Sequence, residues 1–291
     1  IAALFKRDEA SIDDAPDYDS SAGACADLAT SDAWVALFGS TRDDARISTS
    51  PVVHALCSIM RDDDATLRDA AARGLRAFVK ASCTVDHLQD IARDDLIPHI
   101  LDALALADDS RRRAHVTVLA VIVDSATTTY LPRFAALQQL RDASNRDVDV
   151  IENVAHLQAH RRARALAKAA AWITSVKDEE SAKILLPLAL QALSDATKEV
   201  IHSDASKCVG CLAGALPWSR YAALLKTLTT VIDRQAGAVD RFSTKKKTAT
   251  AAPGAASRKE KPNFQQQRLR TSRTLEATFV SAFCHALDHF P

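Results

Sequence analysis

Glycine and aromatic residues are scarce here, with 7 glycines and only 5% Phe, Trp and Tyr among 291 residues. Glycine is a poor helix former, so its scarcity points to helix. Few aromatics mean that any core has to be built from Leu, Ile, Val and Ala. No run of 18 or more apolar residues and no secretory apolar segment occur, so neither a membrane span nor a signal peptide is read in this sequence. A glycine-rich phosphate loop and a GxSxG elbow are also missing, and no nucleophile stands beside an evident base. Catalysis therefore has no positive support, and no cofactor or small-molecule substrate is expected. Net charge is absent too, since 37 Lys and Arg balance 37 Asp and Glu.

What is abundant is alanine, about one residue in five. Alanine is the best helix former, so the composition predicts helix. The zero net charge hides a segregation. Residues 1–32 hold eight acids against Lys6 and Arg7, and residues 241–273 hold ten Lys and Arg against Glu260 alone. Such asymmetry points to tails or linkers with partners of opposite sign. Residues 1–23 are expected to be acidic and largely disordered. Residues 243–262, STKKKTATAAPGAASRKEKP, are small, polar and basic, and are expected to form a disordered loop carrying Lys245, Lys246 and Lys247. The chain begins at Ile1 and ends in the middle of an apolar pattern, so it reads as a piece of something longer.

A repeat runs through the remainder. In DATLRDAAARGL (64–75), Asp64 is a capping residue and Leu67, Arg68, Ala71 and Leu75 follow. In DDSRRRAHVTVLAVIV (108–123), Asp108 and Asp109 cap, and Arg111, Ala114 and Val118 follow at the same offsets, with the two arginines 43 residues apart. That is the period of a HEAT or armadillo helical hairpin, about 40–47 residues. First helices are expected at 51–60, opened by Pro51, and at 94–106, with Pro98 near its start. The Asp clusters at 62–64, 94–95 and 108–109 are expected to cap helices rather than bind metal. Later hairpins pair 131–142 with 156–176, 181–194 with 199–216, and 217–235 with 264–289. The expected fold is an all-α solenoid, with repeats over 24–242 and a further truncated repeat helix over 263–291; each hairpin buries its face on its neighbours.

Three constellations resemble chemical sites. Cys208-Val-Gly-Cys211 is a lone CxxC inside an apolar helix, without the second pair that a zinc site needs. It reads as buried small residues, and the six scattered cysteines read as reduced thiols of an intracellular protein. His156 and His160 have the spacing of a zinc-protease helix, but Leu157 stands where the water-activating Glu should be, so no metal is expected. The third is HLQAHRRARALAKAAAWI (156–173), which lies in a stretch from Asn153 to Lys177 without one acid. At 100° per residue Arg161, Arg164 and Lys168 share one face, and Leu166, Ala170 and Ile173 share the opposite one. The basic trio is a candidate contact for phosphate or an acidic partner. Arg162 lies nearer the apolar edge, placed to bond carbonyls or Asp side chains between repeats.

The run VIENVAHLQAHRRARALAK (150–168), followed by LPWSRYAALLKTL (216–228) and ALDHFP (286–291), resembles the Down-Regulated-In-Metastasis family of very large eukaryotic HEAT-repeat proteins, also called U-three small nucleolar RNA-associated protein twenty. The resemblance implies a nucleolar, non-enzymatic scaffold of the small-subunit processome. Such a scaffold acts with pre-rRNA, a small nucleolar RNP and other processome proteins in early cleavage toward small-subunit rRNA, with no membrane role. It matches Arg161, Arg162 and Arg164 to basic residues of the family, and these, with Lys168 and the loop's Lys245, Lys246 and Lys247, are the candidate RNA- or partner-binding residues. The competing expectations are a general HEAT adaptor for transport or for phosphatase or kinase assembly, without RNA, and a metal-dependent hydrolase built on His156 and His160.

Overall fold

The structure, a computed structural model, describes residues 42–106, 108–142, 144–195, 199–249 and 262–290. The acidic segment 1–23 lies outside them. The described residues are overwhelmingly helical and contain no strand. The chain divides into two compact units, Ile1–Arg141 and Asp142–Pro291.

In the first unit, α1 (Arg42–Ile59) pairs with α2 (Ala65–Ser82). Helix α3 (Asp86–Ile91) passes through a π-helical turn (Ala92–Leu96) into α4 (Ile97–Ala103), which packs on α5 (Asp109–Ser125). The short α6 (Pro132–Ala135) and a 3-10 turn (Ala136–Leu140) also lie against α5. Helix α2 packs along α5, and α1 along α3 and the π turn. First helices thus lie on first helices and second on second. The buried faces are mostly aliphatic, with Leu75 and Val79 beside Phe78 from α2 and Val118, Leu119, Ile122 and Val123 from α5.

The caps expected at Asp64 and Asp108 are present. Asp64 accepts the Thr66 N–H at 2.8 Å, and Asp108 accepts those of Ser110 at 2.7 Å and Arg111 at 3.0 Å. These bonds hold both carboxyls below the usual carboxylate range, led by the Thr66 hydroxyl at Asp64 and the Arg111 N–H at Asp108. Asp94 and Asp95 are not caps. They lie in the π turn, where Asp95 accepts the Ser50 hydroxyl at 2.6 Å. Pro51 does not open its helix either, because α1 starts at Arg42 and carries Pro51 inside it.

The recurring arginine also shifts by one position. Arg68 and Arg112, not Arg111, are the buried pair, each four residues after its N-cap. Arg68 donates to the carbonyls of Asp62 and Asp63 at 2.8 and 2.7 Å and to Ser110 Oγ at 2.6 Å, tying its own loop to the next hairpin. Arg112 donates to the Leu106 carbonyl and pairs with Asp109.

In the second unit, α7 (Val150–Asn153) precedes α8 (Ala159–Val176). Helix α9 (Glu179–Ser194) pairs with α10 (His202–Ala213), which follows a 3-10 turn (Glu199–Ile201). Helix α11 (Trp218–Ala249) pairs with α12 (Pro262–Asp288). The second helices α8, α10 and α12 lie side by side in that order. The expected pairs 181–194 with 199–216 and 217–235 with 264–289 are therefore present. Of residues 131–142, expected to pair with 156–176, all but Asp142 instead belong to the first unit, where 132–140 fold on α5. Helix α11 continues to Ala249, so the first residues of the expected 243–262 loop have helical backbone; residues 250–261 lie outside the described ones.

Candidate functional site

Helix α8 turns the face expected inward. Arg162, Ala165, Leu166, Ala169, Ala170 and Ile173 are buried. It ends at Lys177, whose left-handed backbone (φ 52°) lets its N–H reach the Ile173 carbonyl at 2.8 Å. The acids missing from this helix stand in the loops around it. Arg161 Nη1 lies 2.7 Å from Asp147 Oδ1, and Lys168 Nζ donates to the Val148 carbonyl at 3.3 Å. Both side chains thus grip the loop 142–149. That loop is internally bonded. Asp142 accepts the Ser144 hydroxyl at 2.6 Å and the Asn145 N–H at 2.9 Å, and Asp149 caps α7 through the Glu152 N–H at 2.8 Å. The Ser144 hydroxyl, then the neighbouring amides and the Lys168 charge, hold the Asp142 carboxyl below its ordinary range. Buried Asn153 donates to the carbonyls of Arg146 and Asp149 at 2.5 and 2.6 Å.

Arg162 is 2% exposed, and its Nη1 lies 3.1 Å from Asp195 Oδ2, in the loop after α9. His202 approaches the same residue, with Nε2 2.9 Å from the Asp195 carbonyl oxygen. The bridge ties α8 to the next hairpin and takes Arg162 out of any surface contact, which corrects its place among the candidate binding residues. Arg164 is exposed and has no ion-pair partner among the described residues. Of the basic trio, only Arg164 faces solvent uncommitted. Lys245, Lys246 and Lys247 fall in the helical backbone of α11.

The other constellations dissolve. His156 stands before α8 and accepts the Gln158 N–H at 3.1 Å through Nδ1, so the two histidines do not share a helix face. Among the described residues no group of three or more His, Cys, Asp and Glu could hold a metal. Cys208 is buried, its thiol raised by desolvation, while half-buried Cys211 has Sγ 3.7 Å from His289 Nε2. The described cysteines, Cys57, Cys83, Cys208, Cys211 and Cys284, are all free thiols. The glycine between the pair has its own reason. A Cβ on Gly210 would stand 2.6 Å from His285 Cβ and 2.8 Å from the His285 backbone, so Gly210 lets α10 and α12 touch. No described helix is long and apolar enough to cross a membrane.

Sequence reasoning missed a groove between α10 and α12, lined by His202, Ser203, Ser206, Arg273, Thr278 and Ser281 among others. The only local signal was the spacing of hydroxyls at 203 and 206 and at 274, 278 and 281.

No protein-family model matches the chain. Over 180 residues, 58% of the chain, it is 26% identical to U3 small nucleolar RNA-associated protein 20 of Saccharomyces cerevisiae, and it spans 7% of that protein's length. The similarity is distant and concerns one segment of a much longer relative.

Proposed function

We propose that this chain is a segment of an α-solenoid of HEAT or armadillo hairpins. It serves as a non-enzymatic scaffold in ribosome biogenesis, within the small-subunit processome and in the nucleolus. The observation that carries the reading is the similarity to a protein named for its association with U3 small nucleolar RNA. The side-by-side second helices support it, because stacked hairpins give an extended surface of the kind that holds long partners. The mechanism is binding. Pre-rRNA, small nucleolar RNP and processome proteins lie along the surface, with Arg164 and the basic α11–α12 hairpin supplying charge.

In-cell UV crosslinking of the full-length protein, with sequencing of the attached RNA, tests this. Reads concentrated on pre-rRNA or U3 are expected. Recovery of processome proteins without RNA crosslinks would make the protein a protein-binding member of the assembly. Recovery of neither would leave the general HEAT adaptor. The bonding of Arg161 and Lys168 to loop 142–149 favours Arg164→Glu as the surface variant, because it changes charge without releasing that loop.

A further inference from the structure

Helices α10 and α12 run in the same direction. His202 Nδ1 lies 3.2 Å from Thr278 Oγ1, Gly210 lies against His285, and Gly214 against His289. Tyr221 Oη donates to the Ala286 carbonyl at 3.0 Å, which sets α11 against α12 in the opposite sense. With Thr278 beside the first residue of α10, residues 262–273 of α12 and the facing end of α11 continue past α10. At 1.5 Å per residue this arm is roughly 18 Å long. Over the described residues 234–249 and 262–273 the sequence carries eight Lys and Arg against Asp240, in a chain of zero net charge.

The groove opens at the base of that arm and has a volume of about 600 Å³. Part of its polar lining is consumed internally. Ser206 Oγ donates to the Thr278 carbonyl at 3.3 Å, and Thr278 Oγ1 to the Thr274 carbonyl at 2.8 Å. Three groups are not consumed. Arg273, Ser203 and Ser281 have no polar partner among the described residues, and Arg273 and Ser203 are exposed. Exposed Lys207, one turn beyond Ser203, and exposed Arg270, one turn before Arg273, stand on the same two helices. Glu199 is the one acid among the described lining residues. A free guanidinium and free hydroxyls along one groove are donor chemistry for the oxygens of a phosphate backbone. A groove between two touching helices admits a single strand rather than a duplex, and a basic track leading into it supplies the field that guides the strand.

We propose that the α10–α12 groove binds the sugar–phosphate backbone of single-stranded RNA, with Arg273 on a phosphate and Ser203 and Ser281 on the backbone further along the groove, and with the basic α11–α12 hairpin holding the adjoining strand. This rests on the RNA-contact part of the function proposed above. The test is fluorescence anisotropy of the 291-residue chain with a short labelled single-stranded RNA of mixed sequence, titrated between about 50 and 200 mM salt. Arg273→Ala is expected to weaken binding about tenfold at the low-salt end and to lower the salt slope by about 0.7, the value for one lost phosphate contact on a single strand. The pair Ser203→Ala with Ser281→Ala is expected to weaken binding several-fold with the slope kept. Thermal melts of these variants should match the unaltered chain, since the side chains hold nothing else. RNA binding that all these variants leave unchanged, slope included, overturns the groove and leaves the RNA reading standing. A chain that binds no RNA overturns both the groove and direct RNA contact, while recovery of processome proteins from cells still decides the scaffold reading. A phosphoserine peptide bound more tightly than the RNA, and lost in Arg273→Ala, overturns RNA as the ligand.

Discussion

A guanidinium that is 2% exposed has given up its water, so the carboxylate it meets determines what it does to stability. Arg162 meets Asp195, which belongs to the next hairpin. Truncating one partner strands the other charge in a poorly hydrated place. Arg162→Ala is expected to destabilise the second unit by about 3 kcal/mol in denaturant titration, and Asp195→Ala by less, because Asp195 is partly solvated. The double variant should cost clearly less than the sum of the two, and strict additivity would show that the pair does not act as a unit. His115 gives a pH prediction at the same scale. It is 0% exposed, and burial, with the charges of His99 and Arg61 nearby, lowers its pKa from 6.5 to about 4. Its Nδ1 lies 2.8 Å from the Arg111 carbonyl oxygen. Between pH 6.5 and about 4 the unfolded chain binds a proton here that the folded chain refuses. Stability contributed by the neutral ring is therefore complete above pH 6.5 and is lost as pH falls, by about 3 kcal/mol at the acid end of that window. His99, also lowered mainly by burial, adds in the same sense. His115→Gln should remove close to one proton of uptake from the acid limb; an unchanged limb would assign the sensitivity elsewhere.

At the scale of the element, the sharpest case is the contact of α10 with α12. Gly210→Ala places a methyl where the His285 Cβ and backbone already lie, and backbone cannot swing aside as a side-chain end can. Overpacking of this kind costs about 1–3 kcal/mol, so a lowered melting temperature is expected. Cys208→Ala, in the same helix, should act by cavity formation and be milder, and a Gly210→Ala chain as stable as the parent would mean that α12 is displaced at little cost. The same helices show what could be read from residues alone. The inward face of α8 and the caps of α2 and α5 were legible because each depends on neighbours within a turn or two. The arginine register slipped by one because Arg111 and Arg112 both fit the spacing, and only burial separates them. Residues 243–249 take helical backbone although Lys, Thr and Ala form a low-complexity stretch there, because Lys and Ala favour helix. Loop partners of α8 such as Asp147 and Asp195, and the hydroxyls facing Arg273, come together only through tertiary packing, so helical periodicity gives no sign of them.

For the whole molecule, charge is arranged along the chain rather than averaged over it. Eight acids crowd residues 1–32, and ten of the 37 Lys and Arg fall within 241–273. A neutral total therefore predicts little about binding, whereas the basic segment predicts a salt-dependent affinity for polyanions. Lys245, Lys246 and Lys247 occupy consecutive positions of the helical backbone of α11, and consecutive positions of a helix lie about 100° apart around its axis. One strand lying along the arm cannot meet all three equally. Replacing all three with Gln is thus expected to lower the RNA salt slope by one to two, short of the roughly 2.1 that three equal single-strand contacts would give. Glutamine keeps helix propensity close to that of lysine, so ellipticity and melting temperature should stay within error. A fall of the full amount would place the lysines on a backbone that lets all of them reach phosphate. No change at all would move the electrostatic contact to the Arg270–Arg273 side of the arm and to Arg164.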